Sequence, residues 1–98
     1  METYAILRRH GWHTPQDLEE AAGRSSTVLD GPLVDDIRWI RSYVFEEPGG
    51  GLGTICVYQA TGEDAIRRHS DLARVPADEI LRVVDTILVR PDPAPVAA

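Results

Sequence analysis

The segment Thr54–Val84, TICVYQATGEDAIRRHSDLARVPADEILRVV, decides the fold. Its opening residues, Thr54–Gln59, are rich in β-branched and aromatic side chains and predict a strand. Thr61, with Asp64 three residues later, predicts a helix cap. Ala65, Ile66, His69, Leu72 and Ala73 recur at three- and four-residue steps and share one helical face, while Arg67, Arg68 and Asp71 fall off it. Val75-Pro76-Ala77 stops the helix, and Ile80–Val89, ILRVVDTILV, predicts a closing strand. Strand, helix and strand in that order make half of a split βαβ arrangement.

The residues before Thr54 supply the other half. Ile37–Phe45, IRWIRSYVF, predicts a strand, and Pro48–Gly53, PGGGLG, holds too much glycine for anything but a hairpin loop. Thr3–Arg9 predicts the first strand and His10-Gly11-Trp12-His13 a turn. Thr14-Pro15-Gln16-Asp17 then starts a helix, with threonine as cap and proline in the first turn. Leu18, Ala21, Ala22, Ser25, Val28 and Leu29 line its apolar face, and Asp30-Gly31-Pro32 ends it. The order β-α-β-β-α-β predicts an α+β, ferredoxin-like sandwich: a four-stranded antiparallel sheet with two helices on one face. Right-handed crossovers place the first and third strands in the middle. One domain is expected over residues 1–90, followed by a disordered, proline- and alanine-rich tail over 91–98.

The second and fourth strands are apolar at both parities. Ile40 and Val44 oppose Trp39, Tyr43 and Phe45; Ile80, Val84 and Leu88 oppose Leu81, Val83, Ile87 and Val89. A sheet with one wet face should alternate. The uncovered face is therefore expected to meet the same face of a second copy, giving a homodimer of the dimeric α/β type.

Composition narrows the function. The formal charge is −6 and all ten basic residues are arginines, interrupted by acids, which argues against a nucleic-acid partner. No apolar run approaches the roughly 20 residues that cross a bilayer, so no membrane partner is expected. The N-terminal residues lack the pattern of a secretory signal, and the lone Cys56 suits a reducing compartment; cytoplasmic localisation is expected. Abundant arginine, alanine and valine with no lysine hints at a GC-rich bacterial genome.

The topology converts scattered histidines into a candidate cluster. His10 and His13 follow the first strand and His69 lies late in the second helix, all at one end of the sheet. Asp17, Glu46, Glu47, Asp78 and Glu79 flank that end. Neutral imidazoles with carboxylates suit nickel or another divalent transition metal, although no HExxH or paired CxxC motif is present. Each residue also has a plainer reading: His69 as a core histidine, His10 and His13 as solvated turn residues, and Cys56 as a small buried hydrophobe. Tyr43, Tyr58 and Cys56 are candidates to line a pocket around His69. An enzyme of the cofactor-free monooxygenase or isomerase type, with His69 as acid or base, is one alternative. A non-catalytic interaction module is another. No nucleophile–base pair stands out, and an enzyme is the less favoured reading.

Two segments, IRWIRSYVF and CVYQATGEDAIRRHSDLARVPADEILRVV, together with the first strand, resemble the small bacterial family of unknown function DUF4242, also called nickel-binding protein-like. Arg38, Trp39, Arg41, Ser42 and Tyr43 match one of its motifs. Cys56, Tyr58 and Ala60 match a second, Arg67 or Arg68 with His69 a third, and Val75-Pro76 a fourth. The resemblance spans most of residues 3 to 90. It implies a ferredoxin-like dimer, with surface-bound nickel and a sequestration role in at least one branch, and no established enzymatic activity. Of the candidate ligands, His69 alone falls in a shared motif. The HGWH turn, the PGGGLG loop and the tail are particular to this chain.

Overall fold

A computed structural model describes residues 1–95 of the chain. Among these the order is β1 (Glu2–Trp12), α1 (Pro15–Asp30), β2 (Ile37–Glu46), β3 (Leu52–Ala60), α2 (Glu63–Ala73) and β4 (Glu79–Val83). The strands form one antiparallel sheet in the order β2-β3-β1-β4. This is the expected α+β ferredoxin-like arrangement, with β1 and β3 central. Along β1 the side chains of Tyr4, Ile6 and Arg8 are buried under the helices, whereas Thr3, Ala5 and Leu7 on the other face are half-buried. The core joins Tyr4, Ile6, Cys56, Tyr58 and Ala60 of the sheet to Ala21, Val28 and Leu29 of α1 and Ala65, Ile66 and Ala73 of α2.

The local signals at α1 act as read. Thr14 is its N-cap, its hydroxyl accepting from the Asp17 amide at 3.1 Å, and Pro15 occupies the first turn. At α2 they act differently. Gly62, not Thr61, is the N-cap, and no side chain caps the helix. The Thr61 amide instead donates to the Asp36 carbonyl at 2.9 Å, which holds Thr61 in the connection from β3. The buried stripe of α2 runs through Ser70, and Leu72 turns outward at 51% exposure. The helix ends on Arg74 in the left-handed conformation (φ 57°), a cap without a glycine to announce it.

Two strand ends depart from expectation. β1 does not stop at Arg9: it continues to Trp12 through an irregularity between Arg8 and Trp12, with His10 at φ 48°. This returns Trp12 to the core, beside Leu52. β4 ends at Val83 rather than Val89. Among the described residues its sheet neighbour is β1, and that pairing stops with Val83 opposite Thr3, so the residues beyond leave the sheet. They cross the open face instead, and Asp92 accepts from the Tyr43 hydroxyl at 2.9 Å and pairs with Arg41. The tail expectation also covers residues 96–98, which lie outside the described residues.

In β2 the register slips between Trp39 and Arg41. An extra residue in one strand flips the parity of every residue beyond it. Trp39, Ser42 and Val44 therefore sit on the helix side, opposite Tyr58, Cys56 and Thr54, while Arg41, Tyr43 and Phe45 share the open face with Val57, Ile55 and Gly53. The doubled parity of β2 records this bulge. The open face is nonetheless apolar, carrying Leu7, Tyr43, Phe45, Ile55, Val57, Leu81 and Val83.

Candidate functional site

The helix side of the sheet holds a cavity of about 170 Å³ between α1 and the β2–β3 hairpin. Leu18, Ala21, Ala22 and Ser25 of α1 form one wall; Trp39, Ser42, Val44, Thr54, Cys56 and Tyr58 form the other, with Trp12, Val75 and Arg8 closing the end. Trp39 and Val44 face the helices yet are 37% and 52% exposed, because α1 does not reach over the β2 edge. That edge is the mouth. Inside, the Trp39 and Tyr58 rings stack at 6.1 Å between centroids, and the Cys56 thiol donates to the Thr54 hydroxyl at 3.3 Å.

Arg8 is the residue the sequence reading passed over. It continues the inward parity of Tyr4 and Ile6, so its position at i, i+2, i+4 could have marked it as buried. The side chain is 2% exposed. Its Nη1 donates to the Pro76 carbonyl and to Ser70 Oγ at 3.4 Å. Its Nη2 has no hydrogen-bond partner, and among the described residues no carboxylate pairs with it.

The structure places the three histidines in different settings. His69 is wholly buried in α2, its ring 5.3 Å from that of Tyr58. Neither of its nitrogens has a hydrogen-bond partner. Burial, and secondarily the charge of Arg8, lowers its pKa to about 4. His10 and His13 are exposed at the end of β1. His10 Nδ1 lies 3.6 Å from Glu47 Oε2, but that carboxylate is already committed. It is bound through both oxygens by Arg9 and accepts from the His10 amide, and these contacts lower the Glu47 pKa to about 2 against the cost of burial. Asp78 is likewise engaged, by the Arg9 amide at 2.7 Å.

Among the described residues, no three His, Cys, Asp or Glu side chains converge as a metal-binding group. A dication at His69 would face the Arg8 guanidinium with no carboxylate to balance it, so a closed site there does not fit. Of the candidate pocket residues, Cys56 and Tyr58 line the cavity and lie on the same side of the sheet as His69. Tyr43 does not join them: the bulge puts it on the opposite face, with its hydroxyl on Asp92. No helix is long and apolar enough to cross a membrane among the described residues.

Residues 4–83 match the family described as "Nickel responsive protein SCO4226-like". Among solved structures the chain is similar to SCO4226 from Streptomyces coelicolor A3(2), at 19% identity and a TM-score of 0.66, over 87% of this chain and 99% of that one. At that identity the likeness speaks for the fold. No curated protein matches the chain.

Proposed function

The chain belongs to the nickel-responsive SCO4226-like family, and from that premise we propose that it is a small cytoplasmic homodimer that binds nickel or a related divalent ion for sequestration or homeostasis. The narrower placement in the DUF4242, nickel-binding protein-like group is part of the same proposal. The match over residues 4–83 is the observation that carries it. The exposed imidazoles of His10 and His13, close in sequence at the end of β1, are the donors an ion from solvent would reach, and a neutral imidazole suits nickel. His69, closed in beside Arg8, is not among them.

Pairing through the open face is supported by the apolar side chains of β1, β3 and β4 there and by the segment after β4. Val84, Ile87, Leu88 and Val89 are 74% to 89% exposed in a single chain, a run of greasy surface that a second copy would cover. Calorimetric titration with nickel tests the ion assignment. His10→Ala and His13→Ala should each weaken binding about tenfold or more, and His69→Ala should leave it unchanged. Identical heats for wild type and both surface variants would remove these imidazoles from the site.

A further inference from the structure

We infer that the cavity between α1 and the β2–β3 hairpin is a binding site for a small monocarboxylate with an apolar body about one ring in size, its carboxylate held by the buried guanidinium of Arg8. The inference is independent of nickel. A guanidinium stays charged at any physiological pH, and a charge taken out of water is costly unless paired. Arg8 is 2% exposed, meets two neutral oxygens through Nη1 and leaves Nη2 without a partner, and the same residue closes the end of an open cavity. What is missing from its surroundings is an anion, and the cavity gives an anion a way in.

The walls define the rest of the ligand. Trp12, Leu18, Ala21, Trp39, Val44 and Val75 offer hydrocarbon surface, which favours a body that carries no polar groups. A volume of about 170 Å³ compares with the roughly 150 Å³ of an engineered apolar cavity that holds benzene in an unrelated protein. A doubly charged phosphate would surrender its hydration to those walls, whereas a monocarboxylate matches the fork of a guanidinium. The Thr54 hydroxyl already accepts from Cys56 and keeps its own O–H to donate to a second carboxylate oxygen. The net charge of −6 does not draw anions to the protein, so selectivity has to come from Arg8.

The test uses the full chain with benzoate and its neutral isostere benzamide. Both tryptophans of the chain, Trp12 and Trp39, line the cavity, so intrinsic fluorescence reads occupancy directly. Benzoate should give a saturable change, and benzamide should bind at least tenfold more weakly. Arg8→Met should bring benzoate down to the benzamide level and leave benzamide unaffected. Ala22→Phe, which fills the cavity from α1 without touching Arg8, should abolish both. If Arg8→Met fails to fold, the comparison of the two ligands on wild type and on Ala22→Phe decides the matter. Equal binding of benzoate and benzamide, no saturable response, or benzoate binding that survives Ala22→Phe would overturn the assignment.

Discussion

Glu47 and His69 are two buried ionisable residues whose surroundings push them in ways that separate cleanly with pH. Glu47 is held as an anion by Arg9 and the His10 amide, so its folded pKa of about 2 lies below its ordinary value of 4.5. The stability it contributes is complete above about 4.5 and is lost as pH falls toward 2. His69 is held neutral by burial, its pKa lowered from 6.5 to about 4. An unfolded chain would take up that proton from about 6.5 downward, so stability should decline between 6.5 and 4. Denaturant midpoints measured across pH 2–7 should therefore show two descending limbs. His69→Phe should flatten the upper limb and Glu47→Gln the lower one. Little of this was readable in the sequence. The helical spacing did place His69 on the inward face, and the topology set Glu47 at the same end as His10, but nothing in HGWH or FEEPGG says that Glu47 would bind Arg9 and the His10 amide, because a strand irregularity brings them together.

At the level of the element, caps and bulges decided where the sequence could be trusted. Thr14-Pro15-Gln16-Asp17 carries a complete start signal, and the Thr14 hydroxyl makes the bond that signal implies. Thr61 carried the same pattern, yet its amide is taken by Asp36 and the cap passes to Gly62. Thr14→Ala should cost about 1 kcal/mol in chemical denaturation. Thr61→Ala should fall within about 0.5 kcal/mol of wild type, as for a surface change away from any special feature. The strands obey the same logic. Residue type and the turns between them identified all four, but the slip between Trp39 and Arg41 reversed which half of β2 faces the helices. A bulge leaves no mark in composition beyond a doubled parity, and that pattern reads equally well as a strand covered on both sides.

For the molecule as a whole, the order of elements was sufficient to give the sheet order and the side on which the helices lie. It was not sufficient for the end of the chain: the apolar run after Val83 reads as strand, but the pairing of β4 with β1 stops at Val83, opposite Thr3. The open face that results, with Ile55 at its centre and 40% exposed, is where a second copy is proposed to sit. Sedimentation of wild type should show a dimer at micromolar concentrations, and Ile55→Glu should yield a folded monomer, since pairing would take two unpaired carboxylates out of water, one from each copy. A wild-type monomer at high concentration would remove the proposed pairing while leaving the fold intact.

Cys56 has a practical consequence of its own. It is the one sulfhydryl of the chain, set in a central strand at 4% exposure beneath a helix. A maleimide too bulky for the mouth of the cavity can reach it only when α1 swings away from the hairpin. Its modification rate thus clocks the breathing of this half of the protein from inside, with no label to introduce and no competing thiol to subtract. Anything that fastens the helix down should slow that clock.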